Sequence, residues 1–232
     1  MTADPPLVVN EVFGPTIQGE GPAAGRRCAF LRLGRCNLSC AWCDTPHSWD
    51  WSRHDPATEL VERTTESVFD EIASMRVDMV VVTGGEPLLQ WRRLPPLFRA
   101  CRSAGWEVHV ETAGTLPWIG PTDLVTQWVV SPKLANSQMP LERRYRPAVL
   151  AGFVAARAAF KFVVTSPADL DEIAGIVTEV NIPPRSVWIM PEGTDRDRVV
   201  RRTAALADAA IARGWNLTTR LHVIAWGAQR GR

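Results

Sequence analysis

The chain has 232 residues, of which 46% are hydrophobic, and its 26 basic and 25 acidic residues leave a net charge of +1. This length and composition favour one globular domain over residues 1–232 and exclude a disordered, fibrous or repeat protein. The near-zero charge gives no field that would draw the chain to nucleic acid or an anionic membrane, so we expect a small-molecule substrate. No secretory leader begins the sequence and no stretch approaches the ~18 apolar residues of a membrane span, which favours a cytoplasmic location.

Apolar runs rich in valine and isoleucine recur along the chain and are typical of the buried strands of a parallel sheet. They span residues 29–33, 79–82, 108–110, 128–130, 160–164 and 187–190. Apolar residues with helical spacing occur over residues 60–75, before the second run, and over residues 199–211, after the last run. Gly214 is the expected C-cap of the second of these helices. Ser166 is predicted to cap a third helix, while residues 139–159 fit either a loop or an irregular helix. The alternation predicts an α/β fold with right-handed crossovers.

Polar and glycine-rich segments follow the predicted strands directly. They are residues 36–43, 83–87, 111–112, 131–133 and 191–194. The carboxyl ends of parallel strands meet at one rim, where α/β proteins build their active sites. We therefore expect these segments to form a single site.

Three of the five cysteines lie within eight residues, as Cys36-x3-Cys40-x2-Cys43. A structural zinc site or an ordinary iron–sulfur cluster normally has four protein ligands. Three thiolates on a [4Fe-4S] cluster leave one iron open, and that iron can chelate the amino and carboxylate groups of S-adenosylmethionine. This spacing, with Trp42 before the last cysteine, resembles the signature of the radical S-adenosylmethionine superfamily.

Other interpretations of the cysteines remain open at this point. His47 or His54 could complete a zinc knuckle, because histidine is a good zinc ligand, or the thiols could be structural. Cys28 and Cys101 lie outside the motif and are expected to be small buried hydrophobes.

A second motif, Thr83-Gly84-Gly85-Glu86-Pro87, follows a valine-rich strand. Glycines let the backbone approach a ligand closely, and a carboxylate can receive an ammonium group. Such a glycine pair alone is usually a tight turn, but together with the cysteine loop it resembles the second motif of the superfamily. In that motif Gly85 and Glu86 would hold the methionine moiety.

Longer stretches narrow the resemblance to one family. They read VFGPTIQGEGP from residue 12, FLRL from 30, CAWCDTP from 40, VSPK from 130, MPEGT from 190 and RLHV from 220. These stretches resemble 7-carboxy-7-deazaguanine synthase, and the resemblance covers the core from about residue 9 to about residue 231. It implies an open, partial (β/α)6-type barrel with a reduced set of helices.

The resemblance also implies an activity. The family converts 6-carboxy-5,6,7,8-tetrahydropterin to 7-carboxy-7-deazaguanine with loss of ammonia, on the route to 7-deazapurines such as queuosine. Its cofactors are a [4Fe-4S] cluster, S-adenosylmethionine and Mg²⁺. A homodimer and an electron donor such as flavodoxin or ferredoxin are implied as partners.

Carried onto this sequence, the family's substrate-binding positions are Ile17, Gln18, Gly19, Glu20, Arg32, Thr83 and His222. Gln18 and Glu20 offer both donor and acceptor groups to the pterin's polar edge, and Arg32 would take the substrate carboxylate through a bidentate fork. Each of these residues also has an alternative without a binding role. Gln18 and Glu20 could belong to a solvated loop, and Arg32 could point to solvent. His222 could be a core histidine whose hydrogen bonds are made within the protein.

The family's cofactor positions also carry over. Trp42, Ser131, Pro132 and Lys133 would contact S-adenosylmethionine, and Thr45 would be the Mg²⁺ ligand. A threonine hydroxyl is a poor ligand by itself and a common turn residue, and Lys133 could be a surface charge.

Three features stay open. Trp49 and Trp51 could form a lid, part of the core or a dimer contact, and they receive no role. The chain continues past Trp226-Gly227, where some relatives stop and their terminal carboxylate touches the substrate. The rival functions are a glycyl-radical-activating enzyme, which shares the cysteine loop, and a non-enzymatic zinc-binding module.

Overall fold

A nine-stranded sheet forms the frame of residues 5–232, the part of the chain that the computed structural model describes. Its strands are β1 (Leu7–Ile17), β2 (Arg27–Leu33), β3 (Val61–Arg63), β4 (Met79–Gly84), β5 (Glu107–Thr112), β6 (Gln127–Val130), β7 (Ala159–Val164), β8 (Val187–Pro191) and β9 (Asn216–Leu217). Their order in the sheet is β3-β1-β2-β4-β5-β6-β7-β8-β9.

The six predicted strands are all present, as β2 and β4 to β8. They are neighbours in the sheet, and every pair from β2 to β9 is parallel. Only β1 runs against its neighbours β2 and β3. Because the sheet begins at β3 and ends at β9 without closing, it is the open, partial barrel that the sequence predicted.

The helices over residues 65–74, 94–103, 147–155, 169–180 and 196–212 pack on one face of the sheet. In chain order, the helices are α1 (Pro56–Glu59), α2 (Thr65–Ser74), α3 (Leu94–Ser103), α4 (Leu141–Arg144), α5 (Pro147–Ala155), α6 (Asp169–Val180), α7 (Arg196–Ala212) and α8 (Leu221–Trp226). The connection from β5 to β6, residues 113–126, contains a 3-10 turn at Thr122–Leu124 instead of an α-helix. The helical layer is therefore reduced, as expected.

The predicted helix over residues 60–75 is shorter in the structure, and α2 spans Thr65–Ser74. Val61 belongs to β3, which pairs with β1, so sheet pairing overrides the helical spacing at this end. The helix predicted over residues 199–211 is α7, and Gly214 lies just beyond its last residue with a left-handed φ of 66°. Residues 139–159, which the sequence left unassigned, contain α4 and α5.

The prediction that Ser166 caps a helix is wrong. α6 begins at Asp169, with Ala168 in the N-cap position and no side-chain cap there. Instead, Oδ2 of Asp169 accepts hydrogen bonds from the backbone N–H groups of Thr165 and Ser166 at 2.6 and 2.9 Å. A carboxylate binds these donors more strongly than a neutral hydroxyl does, so it organises the turn.

The two faces of the sheet differ because successive strand residues point to opposite sides. Leu31, Val82 and Phe160 belong to the large core shared with the helices. The other face carries a smaller apolar cluster of Cys28, Phe30, Met79, Val81 and Ala23. Towards the carboxyl ends of the strands this second face becomes polar, and the site is found there.

The loop from β1 to β2 folds across that second face. Its ends are tied by hydrogen bonds from Gln18 N to Arg26 O and from Gly25 N to Gln18 O, of 2.8 and 2.7 Å. From its 3-10 turn, Gly21 N donates to Thr218 Oγ1 just after β9 at 2.9 Å. The loop therefore extends across the sheet from β2 to β9 and covers its polar end.

Across residues 5–232, none of the helices combines the length and the apolar character that crossing a membrane requires.

Candidate active site

The cysteine loop follows β2, and its three thiols line one cavity of about 930 Å³. Leu38, Ala113 and Met139 pack with the cysteines as an apolar wall. The loop is held by neighbouring segments: Arg35 N donates to Ser48 O at 2.7 Å and Ala41 N donates to Ser137 O at 3.0 Å. The sequence therefore brings the three thiols together at the predicted rim.

The thiols are free, and burial raises the pKa of Cys36 to about 12. A metal that binds there must displace protons, since the thiolate is the ligand. No three His, Cys, Asp or Glu side chains within residues 5–232 are grouped around a position for a single metal ion. In a four-iron cluster, by contrast, each of the three thiolates binds a different iron.

The zinc-knuckle alternative needs a histidine at this cavity. His47 and His54 instead pack edge to face against each other, with ring centroids 6.1 Å apart. Neither lines the cavity of the cysteines. The structure therefore does not bring a histidine to the thiols.

The glycine pair after β4 lies directly against the cysteine loop. A Cβ on Gly85 would lie 1.9 Å from the carbonyl oxygen of Arg35, and Gly84 has a φ of 133°. Only glycine fits this close approach. Gly84 and Gly85 also line the cavity of the thiols.

Glu86 lies below the cavity and is fully buried. Its carboxylate accepts hydrogen bonds from Leu88 N, Thr112 Oγ1 and Ala113 N at 3.0, 2.8 and 2.8 Å. Burial raises the pKa of this carboxyl group. The structure thus brings Gly85 to the cavity wall, while the Glu86 carboxylate joins the loops that follow β4 and β5.

Three of the residues predicted to contact S-adenosylmethionine, Ser131, Pro132 and Lys133, come from the loop after β6. Lys133 Nζ donates to the carbonyl oxygen and to Oγ of Ser131 at 2.9 and 3.0 Å, and it lies 5.7 Å from the ring centroid of Trp42. Ser131, Lys133 and Trp42 line the cavity of the thiols. Pro132 is buried beside them and is not part of the lining.

A second cavity of about 600 Å³ adjoins the first and shares Glu20, Asp44, Thr45, Thr83, Gly84, Glu111 and Arg220 with it. All seven predicted substrate positions line this second cavity, namely Ile17, Gln18, Gly19, Glu20, Arg32, Thr83 and His222. The sequence-predicted cofactor and substrate residues thus lie in two adjoining spaces.

Arg32 lies on the polar face of β2, and its side chain is only 16% exposed. Its Nε donates to Glu11 Oε1 at 2.6 Å, and its guanidinium lies 5.8 Å from the ring centroid of Phe13. Among the described residues, no acceptor is bonded to its two terminal nitrogens. The two terminal nitrogens of the guanidinium group are therefore available to a carboxylate in the cavity.

His222 lies at the start of α8, against the loop that follows β1. A Cβ on Gly19 would lie 1.9 Å from Nδ1 of His222, and the imidazole Nε2 is 3.9 Å from Glu20 Oε1. Burial lowers the pKa of His222 more than Glu20 raises it. The imidazole is therefore largely neutral at pH 7, so it can both donate and accept a hydrogen bond.

A chain of charges, buried except at its Asp44 end, joins the two cavities. Lys161 Nζ lies 2.6 Å from Glu20 Oε2 and 3.3 Å from Glu111 Oε1. Arg220 donates from Nε to Glu20 at 2.9 Å, from Nη1 to Gly193 O at 2.7 Å and from Nη2 to Asp44. Glu20 thus receives two cations, one from β7 and one from the segment before α8.

The charges of this chain persist although the groups are buried. Burial alone would raise the pKa of Glu20, but Lys161 and Arg220 outweigh it and hold that pKa well below its usual range. Burial alone would lower the pKa of Lys161, but Glu111 and Glu20 raise it above its usual value. Glu20 and Lys161 therefore stay ionised around neutral pH.

Glu111 also holds two of the predicted substrate residues. Its carboxylate accepts from Gln18 Nε2 and from Thr83 Oγ1, each at 3.1 Å. No role was predicted for Glu111, Lys161, Asp44 or Arg220. For Lys161 a signal did exist, because it is a charged residue inside an otherwise apolar predicted strand.

Comparisons with known proteins agree with this geometry. The family model of the radical SAM superfamily matches residues 31–125. A curated 7-carboxy-7-deazaguanine synthase from Pyrobaculum aerophilum is 37% identical over 100% of both chains, and one from Hyperthermus butylicus is 36% identical over 94% of this chain and 92% of its own. The crystal structure of QueE from Escherichia coli is similar with a TM-score of 0.70 and 27% identity, covering 91% of this chain and 92% of that one.

The open parallel barrel and its cysteine loop thus define a radical S-adenosylmethionine enzyme. Within that superfamily, the full-length similarity shows that the chain belongs to the 7-carboxy-7-deazaguanine synthase family. It is accordingly a lyase of the 7-deazapurine route, and its family implies a [4Fe-4S] cluster and S-adenosylmethionine as cofactors.

The buried ion pairs of Lys161 give a stability prediction. Changing Lys161→Met leaves Glu20 and Glu111 without their shared cation, and we expect the free energy of unfolding to fall by about 3–5 kcal/mol. Urea unfolding of the anaerobic apoprotein measures this change. Adding Glu111→Gln to Lys161→Met should recover part of the loss, because Glu111 then has no cation, whereas Glu20 keeps Arg220.

The exposed pair of Arg26 and Glu107 provides the matched control. Its side chains are 45% and 36% exposed, so Arg26→Met should cost only about 0–1 kcal/mol. Equal costs for Lys161→Met and Arg26→Met would contradict the buried network.

Proposed function

We propose that this protein converts 6-carboxy-5,6,7,8-tetrahydropterin to 7-carboxy-7-deazaguanine with loss of ammonia, using a radical formed from S-adenosylmethionine. The observation that carries this proposal is the pair of adjoining cavities. One is lined by Cys36, Cys40 and Cys43, and the other by all seven positions that resemble the family's pterin-binding residues. Reacting groups held in neighbouring spaces meet without a further search, which favours the reaction.

The residues of the first cavity fit a [4Fe-4S] cluster with one open iron. Cys36, Cys40 and Cys43 share it, whereas Cys28 and Cys101 are buried in other parts of the protein. When bound, the cluster supplies one electron to S-adenosylmethionine, whose cleavage provides the 5′-deoxyadenosyl radical that takes a hydrogen atom from the substrate.

The protein's own residues position this chemistry. We propose that the backbone of Gly85 meets the methionine end of the cofactor, and that Ser131 and Lys133 meet its ribose and carboxylate. Trp42 would provide an apolar face, since its indole N–H is already bonded to Asn136 Oδ1 at 3.0 Å. Glu86 acts one step away, by fixing the loops that carry these groups.

In the second cavity, Gln18, Glu20 and Thr83 are proposed to recognise the pterin ring, with His222 at its edge. Gln18 and Thr83 already donate to Glu111, so Glu111 fixes their orientation before the substrate arrives. Lys161 and Arg220 keep Glu20 ionised as a hydrogen-bond acceptor for the ring's N–H groups. Ile17 and Gly19 complete the wall.

We further propose that the protein is a cytoplasmic homodimer reduced by a flavodoxin or ferredoxin, as the family resemblance implies. Sedimentation velocity under argon tests the dimer. Replacing dithionite with each reduced donor protein in the turnover assay tests the source of electrons.

The proposed reaction has a direct test. Anaerobically reconstituted protein is incubated with carboxytetrahydropterin, S-adenosylmethionine and dithionite under argon, and the product is identified by mass spectrometry. Cys36→Ala, Cys40→Ala and Cys43→Ala should each abolish the brown chromophore and the cleavage of S-adenosylmethionine.

Cys101→Ala is the control for these variants, because Cys101 is a buried thiol outside the motif. It should keep both the colour and the activity. Full activity in any of the three motif variants would overturn the assignment.

Arg32 gives a prediction about substrate recognition. Arg32→Ala should lower kcat/KM for the carboxylated pterin by about 30-fold or more, because a desolvated charged hydrogen bond is worth about 2 kcal/mol or more. Binding of S-adenosylmethionine, measured by calorimetry, should change little.

Arg27 lies at the exposed start of the same strand, so Arg27→Ala serves as the matched control and should leave kcat/KM unchanged. Equal losses of pterin turnover and cofactor binding in Arg32→Ala would argue against the role of Arg32.

We propose that Thr45 binds Mg²⁺ together with the substrate carboxylate. Thr45 lines both cavities, and hard cations prefer oxygen ligands. Turnover should fall on chelation and return with Mg²⁺, and Thr45→Val should need an about tenfold higher Mg²⁺ concentration, since it loses one ligand worth about 1.4 kcal/mol. Thr58→Val, on the exposed helix α1, should behave as wild type, and turnover unaffected by chelation would contradict the site.

A further inference from the structure

Trp49 makes a hydrogen bond that the proposed reaction does not use. Its indole Nε1 lies 3.2 Å from Sγ of Cys43. An indole N–H can only donate, so the sulfur is the acceptor. Thr45 Oγ1 also lies near this sulfur, at the longer distance of 3.7 Å.

The backbone around Trp49 holds the indole in place. A 3-10 turn spans Pro46–Ser48, and Trp49 N donates to Pro46 O at 3.0 Å. Ser48 is fully buried, donates from Oγ to Thr45 O at 2.8 Å and accepts from Arg35 N at 2.7 Å. The indole is therefore aimed at the sulfur by a rigid turn that is tied to both ends of the cysteine loop.

The surroundings of the other thiols differ. Cys36 receives a backbone N–H from Leu38 at 3.4 Å, which is longer and weaker. Leu38, Ala113 and Met139 form an apolar wall beside the thiols. A negatively charged cluster in such a setting gains most from the few N–H groups that point at its sulfurs.

We propose that Trp49 sets the reduction potential of the cluster through its N–H···S bond to Cys43. This inference rests on the proposed function, which places the cluster on Cys43. Reduction adds one electron and so one negative charge, and a donor fixed at a thiolate stabilises the reduced form more than the oxidised form. The bond therefore raises the potential and eases the electron transfer that starts each turnover.

The test is an anaerobic redox titration of the reconstituted holoenzyme, followed by electron paramagnetic resonance of the reduced cluster. Trp49→Phe keeps an aromatic ring and removes the donor. At the potential where half of the wild-type clusters are reduced, the ratio of reduced to oxidised cluster in Trp49→Phe should fall about threefold, because the titration reports only the part of the hydrogen bond's strength that differs between the two oxidation states.

Trp51→Phe is the matched control, with the same substitution two residues away. Trp51 is 38% exposed, and its variant should titrate as wild type. A Trp49→Phe potential equal to that of wild type, or an equal shift in Trp51→Phe, would overturn the inference while leaving the proposed function intact.

A second measurement uses the wild-type protein alone. Pulsed electron–nuclear double resonance on the reduced cluster after exchange into D₂O should detect an exchangeable deuteron on the Trp49 indole. Its absence would overturn the inference even where Trp49→Phe does not assemble a cluster. A wild-type protein that assembles no cluster would overturn the proposed function, and this inference with it.

Discussion

The site depends on one shared carboxylate. Glu20 lies in the loop that crosses the sheet, and its two oxygens bind Lys161 from β7 and Arg220 from the segment before α8. Arg220 in turn binds Asp44, the residue after the last motif cysteine. Four segments far apart in sequence are therefore joined by one chain of charges, which is buried except at Asp44. Removing Lys161 leaves Glu111 charged and without a cation, which costs far more than the loss of a surface ion pair.

The open barrel determines where this chain of charges lies. Helices cover one face of the strands, so the side chains of the other face are free to meet above the small cluster around Phe30 and Val81. No second sheet closes the barrel within residues 5–232, and the loop after β1 covers its polar end instead. It reaches Thr218 beyond β9 through Gly21 N, and it thereby carries Gln18 and Glu20 over the polar end of the strands.

Much of the architecture could be predicted from local sequence. Parallel strands buried on both faces are nearly continuous apolar runs, and all six such runs are strands of the sheet. β1 was not predicted, because its partly buried sequence mixes polar residues with Gly14 and Pro15, and β9 has only two residues. At Ser166 the local capping pattern was outweighed by a carboxylate that lies within the helix.

The residues of the site could be predicted where they lie close together in sequence, and not where their partners are distant in sequence. The cysteine spacing and the glycine pair are read along the chain, and they line one cavity. The partners of Glu20 lie 141 and 200 residues away in sequence, so no spacing can pair them. In the sequence, Lys161 is only a single charged residue within an apolar strand. Its ion-pair partners could not be predicted, because they depend on which residues the fold brings next to it.

The two cavities share a wall, and this geometry constrains the reaction more than any single contact does. Glu20, Thr83 and Glu111 border both spaces, so the groups that we propose for pterin recognition also border the space proposed for the cofactor. A radical formed in the first space then needs no diffusion to reach the second. The overall charge of +1 does not reveal this concentration of opposite charges, because the buried cations Lys161 and Arg220 are each paired with carboxylates of the same wall.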